Sequence, residues 1–241
     1  MSFDGRVAVV TGANRGMGLE VSRQLAANGF HVIITARDAR KGAVALDELL
    51  AEGLDVELRK VDVISSEDCK SLSQYVQEEC KGCDVLVNNA GILPESSSDS
   101  SGRYPSHPLR IPPSSVMEIL NVNTLGALRM IQALAPCLRE NARVVNVSSS
   151  MGQLSAMGNA HLGYRMSKTA LNTITTVFAQ VLAPKNIKVN SVDPGWVQTS
   201  MGGEKAPRTI QQGAASIVWA ALLRPDGPTG GFFRDGERID W

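Results

Sequence analysis

The sequence predicts a doubly wound α/β fold: a parallel sheet of about seven strands with helices on both faces. Three observations carry this. Short Val- and Ile-rich runs alternate with longer amphipathic segments along all 241 residues. Several of these runs are nearly continuous in Val and Ile, the pattern of strands covered on both faces. Between the first run and the first amphipathic segment stands "TGANRGMG" at 11–18, a glycine-rich step from strand to helix in a β-α-β alternation.

The elements follow in order. "RVAVVT" (6–11) is the first strand, and the helix at about 16–28 stops at Asn28-Gly29, where glycine readily takes the left-handed conformation. "HVIITA" (31–36) is the second strand, and Asp38 reads as the N-cap of a helix at 38–52. "DVELRKVDV" (55–63) is the third. Ser65 and Ser66, followed by Glu67 and Asp68, start a helix at 65–80, because a hydroxyl cap and acidic side chains suit a helix N-terminus. "DVLVNNA" (84–90) is the fourth strand. The stretch 94–113, rich in Ser and Pro, then breaks the rhythm. It follows a central strand end, where open α/β sheets place ligands, so it reads as a lid or pocket wall rather than a linker. A helix at 114–140, a strand at 142–148, a helix at 161–183, a strand at 187–193, a helix at 209–222 and a short strand at 231–235 complete the chain. No repeat and no shift of composition divides it, so 1–241 reads as one domain.

Composition excludes several classes. With 24 basic and 24 acidic residues the net charge is zero, which disfavours nucleic acid and anionic membranes as partners. No apolar stretch approaches the ~20 residues of a membrane helix, and "MSFDGRVAVV" lacks the basic start and apolar core of a signal peptide. Cys80 and Cys83 form a CxxC, but no second pair exists to complete a metal site. With Cys69 and Cys137 they read as reduced thiols of a cytoplasmic protein without a bound metal.

The glycine-rich turn points to a ligand. Gly12 sits at the bend, and Gly16 and Gly18 let backbone approach a ligand and helix pack on strand. The helix N-terminus then offers N–H groups to a pyrophosphate, the signature of a dinucleotide site. A P-loop is ruled out because no Gly-Lys-Ser/Thr follows. NAD binders commonly end the second strand on an acid, NADP binders on arginine. Here Ala36 is followed by Arg37, and Arg15 lies inside the turn. Two guanidinium groups can clamp a 2′-phosphate, which favours NADP(H).

Tyr164 and Lys168 stand four residues apart, on one face of a helix. A lysine ammonium beside a phenol lowers its pKa and makes it an acid/base usable near neutral pH.

With "TGANRGMG", "NNAG" at 88–91, "NVN" at 121–123, "VVNVSSSMG" at 144–152 and "DPGWVQTSM" at 193–201, the chain resembles the short-chain dehydrogenase/reductase family in the order and spacing of every block. "TARD", "PGWVQTSM" and "GFFRDGERIDW" are most similar to the carbonyl reductase branch. The resemblance implies a Rossmann-type, NADP(H)-dependent oxidoreductase acting on a ketone, aldehyde or quinone, or on the alcohol in reverse. It further implies a tetrad of Asn123, Ser149, Tyr164 and Lys168. Among the three serines the family's Ser-x-x-Gly pattern selects Ser149 through Gly152, with Ser148 and Ser150 as fallbacks. Cofactor contacts carried over are Gly12, Asn14, Arg15, Gly16, Met17 and Gly18 in the turn, Arg37, the adenine pair Asp62 and Val63, and Asn89, Ala90 and Gly91. Tyr164, Lys168, Pro194, Gly195, Val197 and Thr199 complete the set. Asn123 is expected to hold a water that relays the replacement proton. Leu93, Ser149, Met151, Leu154, Tyr164, Trp196 and Met201 are expected around the substrate, with His161 a pocket or surface residue.

Two departures bear on substrate identity. The serine and tyrosine are only 15 residues apart, 164 minus 149, so the long insert of many carbonyl reductases is absent, whereas the 94–113 loop is longer than is common in the family. The rival readings are a non-catalytic NADP(H)-binding sensor or interaction protein, and isomerisation or dehydration on the same fold. Retention of all four tetrad residues weighs against the first, and the TGxxxGxG spacing against the second. The helices at 114–140 and 161–183 carry more apolar residues than one buried face needs, which predicts a homodimer or homotetramer through them.

Overall fold

The computed structural model describes residues 5–94 and 103–241. Eight strands form one sheet: β1 (Arg6–Val10), β2 (Phe30–Ala36), β3 (Val56–Lys60), β4 (Cys83–Asn88), β5 (Leu138–Val147), β6 (Lys188–Val192), β7 (Phe232–Arg234) and β8 (Glu237–Arg238). Their order is β3-β2-β1-β4-β5-β6-β7-β8. Every neighbouring pair is parallel except β7 with β8.

Successive side chains of β1 point to opposite faces, and each face carries its own core. Val7 and Val9 pack with Leu72 and Val76 of α3 (Ser66–Glu78) and with Met130, Ile131 and Leu134 of α5 (Gly126–Leu134). Ala8 and Val10 pack with Val21 and Leu25 of α1 (Gly16–Ala27), Leu49 of α2 (Ala39–Ala51) and Ile217 of α7 (Ile210–Ala221). Helices therefore cover both faces, and the apolar content of the strands is the direct cause. The remaining helices are α4 (Pro113–Leu120) and α6 (Leu162–Val181).

The caps sit where side-chain chemistry puts them. Asp38 accepts from the backbone N–H groups of Arg40 and Lys41 at 3.0 and 3.2 Å, and Ser65 Oγ accepts from Asp68 N at 3.1 Å.

Four expectations are corrected. The helix expected over 114–140 is continuous through a π-helical turn over Asn121–Leu125 that joins α4 to α5, but it ends at Leu134 rather than 140. Pro136 cannot donate into a helix, and Leu138 pairs instead with Cys83, so β5 begins four residues before 142. An eighth strand follows a tight turn at Asp235 and Gly236, both at positive φ. Finally, Met130, Ile131 and Leu134 belong to the core, so α5 offers less spare apolar surface than its sequence suggests, and Leu171 of α6 is buried as well. α6 keeps an exposed stripe at Leu162, Met166, Val177 and Val181. Part of the 94–113 loop, residues 95–102, lies outside the described residues. The remainder packs on neighbouring helices: Arg103 and Tyr104 bond Glu118 of α4, and Ser106 O accepts from His161 N at 2.9 Å.

Candidate active site

The site lies at the C-terminal ends of β1, β2, β4, β5 and β6. At the first of these Gly12 has φ +63°, and a Cβ there would lie 2.9 Å from Ala90 Cα. A Cβ on Gly18 would lie 2.4 Å from Asn89 Nδ2 and 2.5 Å from Gly12 O. These two glycines let the 11–18 turn and the 89–91 segment touch. Gly16, at φ +58°, has only Thr199 Cγ2 near its Cβ direction, at 3.9 Å, so this part of the turn stays open. Helix α1 has no side-chain cap and no acid in its first turn, which leaves its N–H groups and positive dipole end available to an anion.

Arg15 and Arg37 are exposed, and neither guanidinium has an ion pair among the described residues. Asp38, the acid beside Arg37, is committed to capping α2. An open turn, an uncapped helix start and two unspent arginines fit NADP(H), with its pyrophosphate and 2′-phosphate. Asn14 and Met17 are half-buried in the turn. Asp62 Oδ1 accepts from Ile64 N at 3.2 Å, and Val63 is buried against Gly126.

Asn89 Nδ2 donates to Thr11 O and Gly12 O at 2.9 and 3.1 Å. Gly91 lies beside the tetrad candidates: its Cβ direction points 3.4 Å from Asn123 Oδ1 and 3.7 Å from Lys168 Nζ, ordinary contact distances. Asn123 sits in the π-helical turn. Its Oδ1 accepts from Ile92 N at 2.8 Å, while Nδ2 donates to Ile92 O and Ser167 Oγ at 2.9 and 3.0 Å. The side-chain amide thus clamps the end of the β4 loop to α6, and its hydrogen-bonding groups are spent there.

Ser148 is buried and donates to Asn172 Oδ1 at 2.7 Å. Ser149 is the serine whose side chain acts on the Tyr164 phenol, drawing its pKa down, and its Oγ accepts from Met151 N at 3.1 Å. Ser150 starts a short 3₁₀ turn. Gly152 explains the serine-to-glycine spacing, since a Cβ there would lie 2.8 Å from the Lys168 backbone. Tyr164 and Lys168 are both buried on the inner face of α6. Lys168 Nζ lies 5.5 Å from the Tyr164 ring centroid and donates to Val147 O at 2.7 Å.

Burial pushes the Tyr164 phenol well above its ordinary value, Asp193 adds to this, and Ser149 opposes it. Burial pulls Lys168 down to about 8, against an upward push from Asp193. The lysine-lowered tyrosine expected from sequence is therefore not what the residues themselves produce. Desolvation outweighs the pairing, and Lys168 spends a proton on a carbonyl rather than on the phenol.

Val197 and Met17 both lie against Gly213 of α7, and Thr199 reaches Gly16, so the 194–199 loop folds back on the glycine-rich turn. Pro194 is buried and Gly195 half-buried in that loop. Trp196 is exposed and donates to Gly202 O at 2.7 Å. Met201 is exposed, while Leu93 and Met151 are half-buried. Leu154 lines a separate groove of about 490 Å³ with Met157, Leu162 and Met166, on the outer face of α6. His161 is a half-buried left-handed residue just ahead of α6.

Two residues escaped the sequence reading. Thr11 Oγ1 accepts from both Asn89 N and Ala90 N at 3.0 Å; its place at the end of β1, facing "NNAG", was the available signal. Asp193 is a fully buried acid whose charge acts on Tyr164 and Lys168; an acid directly before Pro-Gly was the signal there. Among the described residues no helix is long and apolar enough to cross a membrane, and no cluster of three His, Cys, Asp or Glu side chains could hold a metal. All four cysteines are free and buried.

A family model described as short chain dehydrogenase matches residues 6–209. Carbonyl reductase [NADPH] 1 of Mus musculus is 32% identical over 289 residues, covering 100% of both chains. The carbonyl reductase Sniffer of D. melanogaster superposes with a TM-score of 0.86 at 27% identity, over 98% of this chain and 99% of that one. An NADPH-bound carbonyl reductase from chicken fatty liver gives 0.84 at 27% identity over 100% of each. From its first strand through the start of α7, the chain belongs to the short-chain dehydrogenase family.

Proposed function

We propose that this protein is an NADPH-dependent oxidoreductase that reduces a ketone, aldehyde or quinone carbonyl to an alcohol, with Asn123, Ser149, Tyr164 and Lys168 as its working residues. The observation that carries the reading is a buried Tyr164 on which Ser149 acts, together with an open dinucleotide turn that carries two unspent arginines. The relatives named carbonyl reductase [NADPH], aligned over the full chain, support the cofactor and the substrate class.

Gly12, Asn14, Arg15, Gly16, Met17 and Gly18 hold the pyrophosphate side of the cofactor, and Arg15 and Arg37 take its 2′-phosphate. Asp62 and Val63 flank the adenine, while 89–91 and Pro194, Gly195, Val197 and Thr199 hold the nicotinamide end. When bound, NADPH supplies the hydride for the carbonyl carbon.

Ser149 donates a hydrogen bond to the substrate oxygen and keeps it against Tyr164. As negative charge grows on that oxygen, Tyr164 transfers its proton and completes the alcohol. Burial keeps the phenol protonated through the neutral range, the form a reductive step requires. Lys168, an ammonium below about pH 8, stabilises the phenolate left behind. Asn123 fixes the spacing between the β4 loop and α6; any proton relay at this position passes through its backbone carbonyl, because its amide is spent.

The assembly follows from α6. Its exposed stripe and the adjoining groove support a homodimer or homotetramer on two-fold axes through this helix.

The test is NADPH oxidation, followed by absorbance, on a panel of aldehydes, ketones and quinones, with Tyr164→Phe alongside. Turnover by the unmutated protein and a kcat lowered about 10²–10⁴-fold in the variant, with NADPH still bound, is the expected result. NADPH binding without turnover on any carbonyl overturns the reading.

A further inference from the structure

Asp193 follows β6 and begins the loop that leads to Thr199. Its side chain is 2% exposed. Its N–H donates to Phe233 O at 2.8 Å, Oδ1 accepts from Gly195 N at 2.8 Å, and Oδ2 accepts from Arg234 Nη2. One residue earlier, Val192 O accepts from Ser148 N at 2.7 Å, so the serine loop and the Asp193 loop hang on adjacent residues of one strand.

The turn alone does not call for a charge. An asparagine could accept the Gly195 N–H equally well, and a buried carboxylate is costly unless it is paired. The charged and titratable groups that interact with Asp193 among the described residues are Tyr164 and Lys168 on α6, Arg234 at the end of β7, and Arg208 ahead of α7. Arg208 is itself engaged by Asp235 at 2.7 Å. Lys168 donates to a neutral carbonyl, so the negative charge that reaches this buried ammonium is that of Asp193.

We propose that Asp193 is a positioning residue of the reaction centre: the fixed counter-charge that keeps Lys168 an ammonium and locks the 194–199 loop, with Arg234 of β7 as the partner that trims its field. This rests on Tyr164 and Lys168 being the proton-handling pair. Strand β7 thereby acts on chemistry it does not touch.

The two members of the pair act on Lys168 with opposite sign. Asp193→Asn removes the negative charge and leaves an acceptor for Gly195 N–H. Arg234→Met leaves the charge and removes its partner. The measurement is a pH titration of the protein labelled with ¹³C at lysine Cε, with the Lys168 signal assigned by its absence in Lys168→Met. Asp193→Asn lowers the Lys168 midpoint and Arg234→Met raises it, the directions set by removing a negative charge and by removing its positive partner. The alkaline limb of kcat/KM for carbonyl reduction moves with the midpoint in each variant. A purely structural role moves neither, or both the same way.

A midpoint that stays put or rises in Asp193→Asn overturns the proposal. If that variant does not fold, failure of the midpoint to rise in Arg234→Met overturns it equally. Opposite midpoint shifts in a protein that turns over no carbonyl support the Asp193 coupling while removing the proposed function, so the two can fail separately.

Discussion

Thr11→Val tests whether the joint between the glycine-rich turn and the 89–91 segment depends on one hydroxyl. Valine matches threonine in shape but offers no oxygen. Thr11 Oγ1 accepts from Ala90 N and Asn89 N at 3.0 Å and donates a long bond to Val87 O at 3.3 Å, in a side chain that is 1% exposed. Asn89 N keeps a second acceptor, Val87 O at 3.1 Å, so it loses a shared bond, about 0.5–1.5 kcal/mol. No other acceptor is seen for Ala90 N among the described residues, and an orphaned buried N–H costs about 1–3 kcal/mol. Together these give roughly 2–4 kcal/mol. At about 2–4 °C per kcal/mol for a chain of this size, Tm falls by roughly 5–15 °C. Thr11→Ser keeps the oxygen and loses one buried methyl, about 1 kcal/mol. Urea and thermal unfolding of the two variants, with an NADPH fluorescence titration, make the comparison: the valine variant is the less stable and binds NADPH more weakly. Equal stability of the valine and serine variants would refute the reasoning, because the shared hydroxyl would then carry no load.

Arg37→Ala should lose roughly tenfold or more of the preference for NADPH over NADH, the loss of one charge-assisted bond of about 1.5–3 kcal/mol; equal KM values for both cofactors in the unmutated protein would contradict the arginine clamp. Light scattering at micromolar concentration should give at least twice the 25.7 kDa of one chain; a single-chain mass would show that the α6 stripe needs no partner. His31 lies 3.8 Å from Glu57 and 2.8 Å from Asp55, which hold it above its ordinary 6.5. Its contribution to stability is complete below 6.5 and disappears as pH rises through the raised value. The stability difference between the unmutated protein and His31→Asn, read by urea unfolding, should therefore shrink on going from pH 6 to pH 9; a constant difference means the ion pairs contribute nothing.

The sheet was legible because its cause is local. Runs such as "HVIITA" and "RVAVV" can only be covered on both sides, and alternation with helices then sets parallel pairing. The caps at Asp38 and Ser65 were legible for the same reason. The π-helical turn at 121–125 was not, because Leu120, Val122 and Leu125 continue an ordinary helical pattern; the turn carries Asn123, which accepts from Ile92 N across 31 residues of sequence. The start of β5 was hidden likewise: "LREN" has no strand pattern, and Cys83 recruits it. At the site, Tyr164 and Lys168 were visible from their spacing, but not the sign of their environment. Burial and Asp193 decide that, and both are products of the tertiary fold.

The two margins of the sheet bear on how copies of this chain meet. One margin is β3, "VELRK", where Glu57, Arg59 and Lys60 put charge along the unpaired backbone. The other would be β7, but β8 folds back antiparallel over it with only two residues, Glu237 and Arg238, both exposed. An open ladder invites a neighbouring chain to add a strand; charged or very short margins repel or truncate that growth. Both margins of the sheet thus carry features that oppose edge-to-edge strand pairing between copies. Ordered contact between copies is left to the helical flanks, where side chains rather than backbone choose the partner.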